Sequence, residues 1–231
     1  MRTLVLFDID GTLLSSDSAG RAAITAAFAA EYDTLDFFDA VRFDGKTDRQ
    51  IVRELHAAAG RPERATEPAM AELLARYVAH LEVELQARRD RIVVHPGMAE
   101  VIGRLECEAD VCVGLLTGNI EPGARLKIGA TDLGYERFRL GAFGSDSEHR
   151  PELPAIAVAR ARERFGRAPE GHGVVIIGDT PADVTCGQGI GARAVAVATG
   201  SYRVDELEAA GAHATFATFD DTDRVLEAIL S

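Results

Sequence analysis

Leu4-Val5-Leu6-Phe7-Asp8-Ile9-Asp10-Gly11-Thr12-Leu13 is the stretch whose reading decides the fold. Four apolar residues run without a break, stop at an acid, and meet a glycine soon after. Uninterrupted apolar runs bounded by turn residues describe strands buried on both faces, the kind found in parallel sheets covered by helices on either side. The pattern returns at Val111–Leu116, Val174–Ile177 and Ala194–Val197, and more weakly at Leu140–Phe143. Helical periodicity fills the gaps. Met98, Val101, Ile102 and Leu105 share one face of a helix, and Leu153, Ile156, Ala157 and Ala161 share one face of another. Alternating strands and helices predict an α/β fold with a doubly wound parallel sheet.

One stretch breaks the alternation. From about Ser16 to Val94 the pattern shows no strand but three helical segments. Ala19 to Tyr32 carries Ile24, Ala27 and Phe28 on one side. Thr47 or Asp48 can cap a helix through Ala59, which Gly60 and Pro62 end. Pro68 to Arg88 carries Leu73, Leu74, Tyr77, Leu81 and Leu85. The His95-Pro96-Gly97 turn then re-enters the alternating region. The expected organisation is a core of residues 1–15 and 95–231, with residues 16–94 as an α-helical insertion.

Composition narrows the classes. The 231 residues are 47% hydrophobic and 27% charged, ordinary for a globular chain. Without Trp and with 6% aromatic residues, the interior must be packed by Ala, Val, Ile and Leu. A net charge of −12 argues against broad nucleic-acid or anionic-membrane binding. Cys107, Cys112 and Cys186 form no C-x-x-C pair, which fits a reducing compartment with the thiols as small core residues. The first residues do not read as a signal peptide and no segment reaches membrane-spanning length, so the expected location is cytoplasmic.

The chemistry lies where strands end, because open α/β sheets place their ligands at the carboxyl edge. Asp8 and Asp10 stand there, separated by one residue. One can attack phosphorus to form an acyl phosphate while the other moves a proton. Taken alone, Asp10-Gly11 is also a common turn dipeptide. Thr117-Gly118-Asn119 ends a second strand, with a hydroxyl and backbone N–H groups suited to phosphate oxygens, or to capping a helix. Asp179 ends a third strand and Asp183 falls in the first turn of the helix begun at Pro181. These carboxylates suit Mg2+, a hard cation that takes a few oxygen ligands, although acids also favour a helix amino terminus electrostatically. Arg150, at a loop–helix junction, is the favoured phosphate-binding cation. Lys127 competes for that role, but its helical setting reads equally as a solvated surface charge.

Together these motifs identify the chain as similar to the haloacid dehalogenase-like hydrolase superfamily, in order from Asp8–Leu13 through Thr117 and Arg150 to Gly178–Asp183. The resemblance implies a Rossmann-like core with a helical cap. It implies Asp8 as nucleophile, Asp10 as general acid and base, and Thr117 and Arg150 on phosphate. It also implies Mg2+ held by Asp8, Asp179, the Asp10 backbone carbonyl and Asp183. Most members carry Lys where Arg150 stands here. Phe43-Asp44-Gly45-Lys46-Thr47-Asp48 looks like the cap loop of phosphoglycolate phosphatase-like and β-phosphoglucomutase-like members, which places Lys46 or Thr47 over the substrate. The same residues read as helix entry, and Lys46 as a solvated charge.

The expectation is a phosphomonoester hydrolase acting on a small phosphorylated metabolite. A phosphomutase, a phosphonate hydrolase relying on a cap lysine, and a non-enzymatic phospho-aspartate switch are the alternatives. Receiver-type switch modules also place carboxylates and a Thr at strand ends, but they lack the helical insertion and leave Asp10 without work.

Overall fold

The structure is a computed structural model describing residues 1–231. Its main sheet is built from β1 (Thr3–Phe7), β4 (Val111–Thr117), β5 (Gly141–Phe143), β6 (Val174–Gly178), β7 (Arg193–Val197) and β8 (Ala214–Phe216). All pair in parallel, in the order β5-β4-β1-β6-β7-β8. β1 lies between β4 and β6, so the chain builds outward on one side, then returns to build on the other. That reversal brings the carboxyl ends of β1, β4 and β6 together, and with them Asp8, Thr117 and Asp179.

Strand alternation explains why the runs have no polar break. Val5, Phe7, Val113, Leu115, Val175 and Ile177 enter one buried cluster with Val101, Ile102 and Leu105 of α4 (Met98–Cys107) and Ile229 of α9 (Thr222–Leu230). Leu4, Leu6, Cys112, Leu116, Val174 and Ile176 point the other way, against Leu153, Ala157 and Ala161 of α6 (Leu153–Phe165). Both faces are dry, so the inner positions of these strands are apolar and polar residues such as Thr117 and Arg193 stand at their ends. Each large side chain so buried contributes roughly 1.5–3 kcal/mol.

The insertion carries α1 (Ala19–Ala29), α2 (Asp48–Ala58) and α3 (Glu67–Ala87). Its own cluster joins Ala23, Ala27 and Phe28 of α1 to Leu73, Tyr77 and Leu81 of α3, and Ile120 reaches into it from the core. The stretch is not wholly without strand. Val93–Val94 forms β3, which pairs antiparallel with β2 (Leu14–Ser15) where the chain leaves and re-enters the core. Two residues are too few to show a period. The chain passes into α1 through Asp17 and Ser18, both left-handed at φ 50° and 62°. Arg91 Nη1 lies 2.8 Å from Asp17 Oδ2, and Arg88 Nε donates to the Asp17 carbonyl at 3.1 Å, holding this turn.

β8 was not expected from the sequence. It is a three-residue edge strand, half-buried throughout, and offers no apolar run. Cys112 and Cys186 are core residues as expected, whereas Cys107 is exposed at the end of α4. No helix is long and apolar enough to cross a membrane.

Candidate active site

Asp8 follows β1 directly and still belongs to the sheet, its N–H donating to Ile177 O at 2.9 Å. The chain then turns at Gly11, whose φ of +78° favours glycine. A Cβ there would also strike the Asp179 carboxylate, so this glycine lets the loop pass over the third acid. Thr12 Oγ1 donates to Asp179 Oδ1 at 2.9 Å.

Asp8, Asp179 and Asp183 are all buried, with carboxylate oxygens within 4.8 Å of one another. One cation faces them from the protein. Arg150 Nη2 lies 3.2 Å from Asp8 Oδ1 and also bonds Asp183 Oδ1. The other Asp183 oxygen accepts from Thr180 N at 3.0 Å and Thr180 Oγ1 at 2.6 Å, in the capping box that starts α7 (Pro181–Cys186). Asp183 therefore both caps a helix and fixes Arg150.

Three carboxylates face one guanidinium in a buried site. Burial, together with repulsion from Asp183 and Asp10, pushes Asp8 up to about 7, although Arg150 and Thr117 oppose it. Burial, then Asp183 and Asp8, raise Asp179 well above the usual carboxylate range. Burial works against the charge on Arg150, but Asp183 and Asp8 outweigh it and its hold on the proton rises. Hard oxygen donors with uncompensated charge form a set that fits a divalent cation.

Asp10 stands apart from this cluster, its side chain 44% exposed to the cleft. Its Oδ2 accepts from Asn119 Nδ2 at 2.8 Å and from Lys127 Nζ at 2.6 Å. Here the surface reading of Lys127 is corrected. The residue lies on α5 (Glu121–Gly129) and its side chain is only 4% exposed. Arg150 and Lys127 do not compete for one place: Arg150 serves Asp8, and Lys127 serves Asp10. The signal was present, because Lys127 follows Gly123 and Ala124 at helical spacing, on the face that α5 buries.

Thr117 and Asn119 share the loop after β4, where Asn119 Nδ2 also donates to Thr117 Oγ1 at 2.8 Å. Gly118 between them is one place where the insertion touches the core. A Cβ there would collide with the Lys46 carbonyl. Asp48 N–H donates to Gly118 O at 2.8 Å, and Asp48 Oδ2 accepts from Ile120 N at 2.8 Å. Burial raises Asp48 to about 6 even though Lys127 and the Ile120 N–H favour its charge. Asp48, by sequence a helix-capping candidate, and Tyr77, by sequence part of a helix face, both line the cleft.

The two cap-loop residues part company. Lys46 lines the cleft and pairs with Glu54. Thr47 is buried behind the loop. Its hydroxyl accepts from Gln50 N at 3.1 Å as the cap of α2 and donates to Glu148 O at 2.9 Å. Thr47 thus takes the helix-entry role and anchors the loop to the core, without lining the cleft. The cleft encloses about 520 Å³ between core and insertion, and Arg21, Arg42 and Phe43 line its far side. No histidine lines it.

Comparison with solved structures extends over nearly the whole chain. A hydrolase from Pseudomonas syringae shares 23% identity with a TM-score of 0.74, covering 99% of each chain. CbbY from Rhodobacter sphaeroides, solved in complex with phosphate, shares 21% identity with a TM-score of 0.70, covering 96% of each chain. A predicted phosphoglycolate phosphatase from Haemophilus somnus 129PT shares 15% identity with a TM-score of 0.69, covering 98% of this chain and 99% of its own. At these identities the likeness is one of fold, an α/β core with a helical cap. No curated protein sequence matches the chain. The sequence profile of the haloacid dehalogenase-like hydrolases matches residues 5–188, which include every strand-end acid described above, and the chain belongs to that family.

Proposed function

We propose that the protein is a magnesium-dependent phosphatase, hydrolysing a small phosphomonoester through an aspartyl phosphate on Asp8. The observation that carries this reading is the buried Asp8–Asp179–Asp183 cluster beside Arg150, with a second, cleft-facing carboxylate at Asp10. The carboxylates of Asp8 and Asp179 and the Asp10 carbonyl would hold Mg2+, with Asp183 behind them. Bound there, the ion would neutralise charge between Asp8 and the phosphoryl group and polarise a phosphoryl oxygen.

The protein's own groups divide the remaining work. An Asp8 oxygen attacks phosphorus as the bond to the leaving oxygen breaks, and Asp10 gives that oxygen a proton. Asp10 then takes a proton from water, whose oxygen attacks phosphorus and releases phosphate from Asp8. Arg150, the Thr117 hydroxyl and the N–H groups of Gly118 and Asn119 would hold the phosphoryl oxygens. The docked insertion keeps bulk water from the intermediate.

A phosphate-release assay over small phosphoesters, with and without chelator, tests the reading. Catalytic, magnesium-dependent release supports it, and stoichiometric labelling without turnover refutes it. Asp10→Asn is expected to slow alkyl phosphates by roughly 10²–10⁴-fold, and the phosphorylation step of an aryl phosphate much less, because a good leaving group needs no proton. Equal losses in that step would remove Asp10 from the acid role.

Lys46 gives the reading its specificity. A carboxylate on the substrate would have to compete with Glu54 for the ammonium, which limits the gain from a charge-assisted bond. Lys46→Ala is therefore expected to lower kcat/KM for carboxylated substrates by about tenfold while sparing an aryl phosphate. A drop shared by both substrates would make Lys46 catalytic or structural instead.

A further inference from the structure

A buried ammonium is costly unless it is partnered, so the partners of Lys127 show what holds it in place. Its Nζ donates to Asp10 Oδ2 and to Asn119 Oδ1, each at 2.6 Å. Asn119 Nδ2 donates to the same Asp10 oxygen at 2.8 Å, which closes a triangle of three side chains. The triangle uses only Oδ2. Asp10 Oδ1 has no protein partner and belongs to a side chain open to the cleft.

The insertion adds to the surroundings of the ammonium. A Cβ on Gly20 would lie 3.3 Å from Lys127 Nζ and 3.7 Å from the Tyr77 hydroxyl, so a glycine and a buried tyrosine close over it. The Asp48 carboxylate is near enough for Lys127 to favour its charge. Arg150 already supplies the cation at Asp8.

We propose that Lys127 is a positioning residue for proton transfer: with Asn119 it clamps Asp10 Oδ2, so that Oδ1 is the oxygen presented to the leaving group and then to water. This rests on the acid–base role proposed for Asp10. When Asp10 has given up its proton, the charge left behind already faces an ammonium that need not move. The three members of the clamp all belong to the core, and Gly20, Tyr77 and Asp48 of the insertion adjoin it.

A double-mutant cycle on the magnesium-loaded enzyme tests this, with an alkyl phosphate and an aryl phosphate as substrates. Lys127→Met is expected to cut kcat/KM for the alkyl phosphate ten- to hundredfold, roughly the cost of a misplaced catalytic group, and to cut the aryl phosphate less. Asp10→Asn/Lys127→Met should fall no more than about twofold below Asp10→Asn, because the clamp then has nothing to position. If circular dichroism shows that Lys127→Met does not fold, Lys127→Gln carries the same cycle, its shorter neutral side chain removing the ammonium from Asp10 Oδ2 while staying polar in the buried site. Losses that multiply in the double variant, or that fall equally on both substrates, overturn the proposal by placing Lys127 on the phosphate or in the fold alone. An Asp10→Asn enzyme of full activity would instead overturn the acid–base reading and take the proposal with it, so the two failures are told apart.

Discussion

Asp8→Asn is expected to lower turnover by about 10⁴-fold or more while leaving the protein folded. An amide has nearly the shape of a carboxylate, but its oxygen is a poor nucleophile and forms no acyl phosphate. Neighbouring groups cannot replace it. Asp10 points into the cleft with one oxygen held by Lys127 and Asn119, and Asp183 has both oxygens engaged by Arg150 and Thr180. The fold should survive because the substitution removes one of three crowded charges at a residue only 6% exposed. Circular dichroism and a thermal midpoint at or above that of the parent protein would accompany the lost activity. Trapping phosphate on the parent enzyme by acid quench, but not on Asp8→Asn, would locate the covalent step. Activity within tenfold of the parent would remove Asp8 as the nucleophile.

Without a divalent cation the protein should lose stability as pH rises. Asp8 is pushed up to about 7 from an ordinary value of 3.8, and Asp179 is raised in the same direction. Below the ordinary value both folded and unfolded chains are protonated, and the site costs nothing. Between there and about 7 the unfolded chain ionises freely while the folded chain resists, so stability falls, with the full loss reached above 7. For Asp8 alone the loss is on the order of 4 kcal/mol. Magnesium should reverse it, since it neutralises the charges that repel one another. The thermal midpoint in chelator is therefore expected to drop from pH 5 to pH 8, and the gain on adding Mg2+ to grow over the same range. Asp179→Ala should raise the magnesium concentration needed for activity by roughly 100-fold or more. A midpoint that is flat across this range, or a magnesium gain as large at pH 5 as at pH 8, would refute the assignment.

The sequence by itself determined the α/β alternation, the helical insertion and the strand-end acids, because each of these is a local property. A strand covered on both faces is apolar along its inner positions, so Leu4–Phe7 and Val174–Ile177 announce themselves without reference to the rest of the chain. An acid that directly follows such a strand, as Asp8 and Asp179 do, is already placed at the ligand-binding edge of the sheet. The short elements β2, β3 and β8 lacked that signal, since two or three residues carry no period.

Tertiary structure alone decided how the charges pair. Lys127 is 117 residues from Asp10, and Arg150 is 33 from Asp183, so no spacing rule joins them. What joins them is the order in which strands enter the sheet, which brings three carboxyl ends to one place. The same holds for the insertion. Thr47 and Asp48 looked alike as candidates to cap a helix, yet Thr47 took the cap and Asp48 turned into the cleft, bonding Ile120. That choice depended on where Gly118 let two backbones meet, a contact between segments some 70 residues apart that only the folded chain contains.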